Sequence, residues 1–203
     1  FSGYSDIAIG TAKLFNLSFL NNFNRPYLAV SITDFWRRWH ISLSSWLKDY
    51  LYIPIGGNRN GNILTYRNLI ITMALGGLWH GSSWNFIIWG ILHGFFLVAE
   101  KLLKRVNMIK SFRYIFVRRF IIFNMVCLAW IFFRSSSYEQ ALNIIVTILR
   151  FDISTGLFIG NINVMSHILI GIFLFITFTK YFDRVGAYEN ICKSLTDFKL
   201  KAL

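Results

Sequence analysis

A chain of 203 residues with a formal charge of +12 is here 55% hydrophobic, with a mean hydropathy of +0.51. A nucleic-acid binder spreads its cations over a polar surface, whereas only 15% of these residues are charged, against about 25% in an ordinary globular domain. The composition therefore argues against nucleic acid as a partner and, with two Pro and fourteen Gly, against a disordered or collagen-like chain. It predicts a membrane protein whose aromatic residues, 18% of the chain, meet lipid and interface.

The chain opens on Phe1 rather than Met and carries no signal-peptide pattern, which reads as a segment of a longer protein. From Phe1 to Asn62 polarity is mixed and no ordinary span is predicted. Within it, Phe35, Trp36, Trp39, Leu43, Trp46, Leu47 and Tyr50 recur at spacings of three and four, which predicts one amphipathic helix over Ser31 to Tyr52. Its Trp-rich, basic character suits the membrane interface. Pro54 and the Gly56-Gly57-Asn58 turn stop it.

Asn68 to Ala99 carries no Asp, Glu, Lys or Arg. One helix over that run would reach roughly 48 Å, against a hydrocarbon core of about 30 Å, so the run must turn. Three glycines and two serines between Gly76 and Ser83 supply the break. Two helices are predicted, about Ile63 to Trp79 and Trp84 to Lys104, with the turn at membrane depth, where non-helical backbone needs protein or a water-filled cavity around it. A third span is predicted over Tyr114 to Phe133 and a fourth over about Val164 to Phe182.

The connection holding Lys101, Lys104, Arg105, Lys110, Arg113, Arg118 and Arg119 has no acid after Glu100, so by the positive-inside rule it faces the cytoplasm. The mixed tail Lys180 to Leu203 is assigned to the same side. These cations read first as topological anchors.

Four histidines carry the available chemistry: His40, His80, His93 and His167. His80 has the strongest case, beside the break, where small residues leave room for a substrate and desolvation favours the neutral ring that a general base needs. At this point it is equally a polar group hydrogen-bonding one helix to another. His40 either pairs with it across a cavity or sits at the interface; His93 reads as helix packing and His167 as incidental. Cys127 and Cys192 belong to no metal or redox spacing and read as inert packing. No His-x-x-x-His pair, nucleophile elbow or phosphate loop occurs, so no metal is expected. A transporter with a proton-relaying histidine is the alternative class; it would show a matching pair of interrupted segments, and one break is visible. A truncated, inactive product is a third possibility.

Four ordered motifs then converge: Phe1-Ser2-Gly3-Tyr4-Ser5-Asp6; Asp34-Phe35-Trp36-Arg37-Arg38-Trp39-His40; Asp49-Tyr50-Leu51-Tyr52-Ile53-Pro54-Ile55-Gly56-Gly57-Asn58-Arg59; and Gly77-Leu78-Trp79-His80-Gly81. Together they resemble the membrane-bound O-acyltransferase superfamily, and within it the bacterial alginate O-acetyltransferase branch. The motif match covers Phe1 to about Lys104, and beyond Arg105 only hydropathy agrees. The resemblance implies an all-α polytopic protein with helices around a central tunnel and an interfacial or re-entrant region. Residues 1–104 would form a catalytic core segment, residues 105–203 the carboxy-terminal helices and tail, and upstream helices would be missing.

It further implies that the principal catalytic histidine is His80 and the second catalytic position His40, a histidine in this branch too. The reaction implied moves an acyl group, acetyl in this branch, from a cytoplasmic thioester such as acetyl-CoA toward hydroxyls of an extracytoplasmic polysaccharide such as alginate. No bound cofactor, an extracytoplasmic acetyltransferase partner and a multi-pass place in the bacterial inner membrane go with it. Arg37, Arg38, Lys48 and Arg59 are candidates for the donor's phosphates, and Trp36, Trp39 and Trp79 for the tunnel wall.

Overall fold

The structure is a computed structural model that describes residues 2–105, 115–150, 175, 177 and 179–181. The chain forms two compact units, Phe1–Leu149 and Arg150–Leu203. Everything below concerns the first; in the second, the described positions are helical. Among the described residues no strand occurs.

Helix α1 covers Ser2–Leu14, α2 Ile32–Arg38, α3 Ile41–Leu47, α4 Asn62–Trp79, α5 Trp84–Arg105, α6 Ile115–Arg134 and α7 Tyr138–Arg150. A π-helical turn, Lys48–Tyr52, prolongs α3. Two of these helices are long and apolar enough to cross a membrane, over Trp84–Lys104 and Ile115–Arg134. They fall where the second and third spans are predicted. Helix α4 occupies the first predicted span but carries the buried polar residues Thr65, Asn68 and Thr72 and does not meet the same criterion. Most of the fourth predicted span, with His167 and Cys192, lies outside the described residues, as do Lys110 and Arg113 of the cationic connection.

Helices α4 and α5 form a tight hairpin whose closeness depends on glycine. A Cβ on Gly77 would run into the carbonyl of Phe86, one on Gly90 into that of Met73, and one on Gly94 would stand 2.8 Å from the Cα of Ile70. Small residues let helix backbones touch in this way where lipid provides no hydrophobic drive. Gly76 and Gly77 are thus helical and belong to the packing, and the break itself is confined to His80–Ser83.

The single helix predicted over Ser31 to Tyr52 is corrected by the structure: it is three pieces. Trp39 is extended and His40 takes a left-handed conformation with φ 45° and ψ 55°. The backbone groups freed by the interruption are paired by a distant segment. Asn24 N–H donates to Arg38 O at 2.9 Å, Ile41 N–H to Asn22 O at 3.0 Å, and Ser42 N–H to Asn22 Oδ1 at 3.0 Å. The apolar period runs straight through the break because the residues on either side still pack inward.

Nor does α2 lie on a surface. Ile32, Phe35 and Trp36 join Met73, Trp89, Val126, Ala129 and Phe132 in one buried core drawn from α2, α4, α5 and α6. The exposed large hydrophobic residues of the predicted helix, Trp46 and Tyr50, lie at its far end. Cys127 is a half-buried free thiol in α6. Helix α7 was not anticipated, although Ser137-x-x-Gln140 is a start signal. Ser137 Oγ accepts from Gln140 N–H at 3.2 Å, and Gln140 Oε1 accepts from Ser136 N–H at 2.7 Å.

Candidate active site

Two cavities stand side by side in this unit. The smaller, about 590 Å³, is lined by His40 and His80 with Tyr27, Leu43, Phe133 and five tryptophans, Trp36, Trp39, Trp79, Trp89 and Trp130. The larger, about 690 Å³, carries Arg37, Lys48, Lys101 and Lys104 with the single carboxylate Glu100, and the hydroxyls of Thr33, Ser44, Ser45 and Thr72. Trp36 lines both. An aromatic chamber with two imidazoles therefore adjoins a polar one with four cations, across one indole.

The histidines reach their chamber by different routes. His80 is the residue on which α4 ends, its N–H donating to Gly77 O at 3.0 Å. Rings surround it: Trp79 at 5.0 Å, Phe133 at 5.1 Å and Trp89 at 5.3 Å between centroids. His40 sits at the interruption between α2 and α3, 6.4 Å from the Trp79 ring. Its positive φ is unfavourable for a side chain with a Cβ, a cost of about 1 to 3 kcal/mol that the Asn22 and Asn24 bonds must offset.

Burial, and after it the charge of His80, hold His40 below the ordinary histidine value of 6.5. The folded protein therefore binds fewer protons than the unfolded chain just below that value. The stability His40 contributes is present above pH 6.5 and is lost as the pH falls below it. Thermal unfolding in detergent should show a midpoint that drops on acidification, and His40→Gln should remove part of the drop; an identical pH dependence in the variant would exclude His40 as a source.

The indole N–H groups of Trp36 and Trp89 are buried and find no acceptor among the described residues. His93 is fully buried behind them, its ring 5.0 Å from each indole, so its place is in the packing.

Of the residues singled out in the sequence, His40, His80, Trp36, Trp39 and Trp79 meet in the aromatic chamber, and Arg37 and Lys48 line the polar one. Arg38 turns away to pair with Asp34 at 2.8 Å. Arg59 is exposed in the turn before α4 and lines neither cavity. Trp89 and Trp130 were missed, though the hairpin itself signals Trp89: folding α5 back on α4 returns its early turns to the His80 end.

The cations read as anchors do more than that. Lys104 pairs with Glu100, while Arg118 Nε donates to Val30 O and Arg119 Nε to Leu28 O, each at 3.1 Å. Among the described residues no three His, Cys, Asp or Glu side chains gather as a metal site.

Comparison with known proteins matches the model of the membrane-bound O-acyltransferase family to residues 1–138. The "Probable alginate O-acetylase AlgI" of Azotobacter vinelandii is 51% identical over 144 residues, 70% of this chain and 28% of that protein. The peptidoglycan O-acetyltransferase of Helicobacter pylori is 49% identical over 146 residues, 71% of this chain and 28% of its own length. The teichoic acid D-alanyltransferase of Bacillus subtilis is 28% identical over 152 residues, 69% of this chain and 38% of its own. The chain thus spans less than a third of the length of the first two.

Proposed function

The chain belongs to the membrane-bound O-acyltransferase family, and from that premise we propose that it carries the transfer centre of an enzyme acylating hydroxyls of an extracytoplasmic polysaccharide such as alginate. The acyl group, acetyl by its similarity to O-acetylating relatives, comes from a thioester on the cytoplasmic side. One observation carries the proposal: two histidines share an aromatic chamber that adjoins a cation-lined one through Trp36.

The chemistry follows from what each wall offers. His80 takes the proton of the acceptor hydroxyl as its oxygen attacks the thioester carbonyl. The negative charge gathered on the carbonyl oxygen is met by His40. The tetrahedral intermediate collapses, the C–S bond breaks, and the thiolate leaves with the proton held by His80. The donor's anionic end stays in the polar chamber beside Arg37 and Lys48, with Lys101 and Lys104 contributing from α5. This side faces the cytoplasm, in keeping with the basic connection that begins there. The complete protein would cross the bacterial inner membrane several times around a tunnel and work with an extracytoplasmic partner acetyltransferase. The thioester is a substrate, and no resident cofactor is proposed.

Membranes holding the complete protein should move labelled acetyl from acetyl-CoA, or from an acetylated carrier protein, to the polysaccharide; no incorporation from either donor would end the proposal. Arg37→Gln and Lys48→Gln should each raise the donor KM by about tenfold with little change in kcat, since a charge-assisted hydrogen bond contributes roughly 1.5 kcal/mol. An unchanged KM in both variants would move the donor out of the polar chamber.

A further inference from the structure

Glu100 has no part in the chemistry above, yet it holds together the two elements that bring the histidines to one chamber. Its carboxylate side chain is 11% exposed and pairs with Lys104. It also accepts twice from a residue 67 positions earlier: Thr33 N–H donates to Oε2 and the Thr33 hydroxyl to Oε1, each at 2.9 Å. Thr33 lies in the first turn of α2, where backbone N–H groups have no partner within the helix. Ser31 Oγ satisfies that of Asp34 at 3.0 Å, and Glu100 satisfies that of Thr33.

Helix α2 has seven residues, too few to be stable alone, and it runs directly into Trp39 and His40. Glu100 belongs to α5, which packs along α4 through the glycine contacts, and α4 ends at His80. A shift of α2 along α5 would move His40 and Trp36 relative to His80.

We infer that Glu100 is a positioning residue: by gripping Thr33 it bolts the short helix that leads into His40 to the hairpin that ends in His80, and so sets the alignment of the two imidazoles. This rests on the acyl-transfer function proposed above. A displacement on the order of 1 Å in such a site costs about a hundredfold in rate, so the grip acts on kcat.

The test measures acetyl-CoA kinetics in membranes holding the complete protein, with protein level and detergent stability followed in parallel. Glu100→Gln and Thr33→Val should each lower kcat by about tenfold or more, and in Thr33→Val, which leaves the charges of the polar chamber unchanged, donor KM should stay within about twofold of wild type. The double variant should lose less than the product of the two single losses, because the Thr33 hydroxyl bond is removed by both changes while the Thr33 N–H bond survives in Thr33→Val. Thr33→Ser, which keeps both donors, should retain near wild-type kcat.

A wild-type kcat in Glu100→Gln, multiplicative losses in the double variant, or a loss carried by KM alone would overturn the inference. If Glu100→Gln does not accumulate, Thr33→Val against Thr33→Ser carries the same decision, and equal kcat in those two would overturn it. His80→Ala in the same membranes separates the two levels: if it transfers acetyl normally, the proposed function fails, whereas an inactive His80→Ala beside a fully active Glu100→Gln sinks the bolt alone.

Discussion

Replacing His80 with alanine is expected to slow acyl transfer by about 10²- to 10⁴-fold, the usual contribution of a placed general base, while the protein still accumulates and stays folded. The separation of the two effects comes from how His80 is held. Its side chain is half-buried and ringed by Trp79, Trp89 and Phe133, and the helix end it caps is made by its backbone N–H, which alanine keeps. Single-turnover transfer of labelled acetyl, with folded protein quantified by detergent size exclusion, reads the two quantities independently. A His80→Ala protein with wild-type turnover would leave the chamber without a base.

The second large effect concerns the hairpin. Gly90→Ala should destabilise the protein by about 3 kcal/mol, at the upper end of overpacking costs, because what the new methyl meets is backbone: the Met73 carbonyl group, with its carbon at 2.9 Å, and the Ala74 Cα at 3.0 Å. A side chain can rotate aside, but two helix backbones can only separate. Parting α4 from α5 would also disturb Trp89 and the His80 end, so activity should fall along with the thermal midpoint. Gly10→Ala is the control, since nothing lies within 4 Å of the added Cβ; it should unfold at or slightly above the wild-type temperature, alanine being the better helix former within α1. Equal midpoints for the two variants would mean that the helices have slack the packing does not suggest.

How far the sequence could be read follows from the range of the forces involved. The limits of α4, α5 and α6 were legible because they are set locally, by apolar runs ending at Gly81, Ser83 or a cationic stretch. The interruption at Trp39 and His40 was not, because the residues that stabilise it are Asn22 and Asn24, whose bonds are specific to this fold, while Phe35, Trp36 and Trp39 keep a helical period across the break. The place of His80 at the end of α4, beside the break, was legible from its setting between small residues. Arg38 and Arg59 illustrate the converse: a cation near a site in sequence carries no sign of which way it faces, and Arg38 is occupied by Asp34 four residues before it. Glu100 shows in the sequence only as the end of an uncharged run, since its partner Thr33 is remote in the chain.

The π-helical turn at Lys48–Tyr52 has a consequence for how such a site arises. A π turn is an α-helix carrying one residue more than its hydrogen-bond ladder requires. Loss of a single codon inside it would restore a regular helix and rotate one flank by about 100° against the other, taking Lys48 and Tyr52, which both line the polar cavity, out of their shared orientation. The polar chamber is therefore one indel away from a different shape.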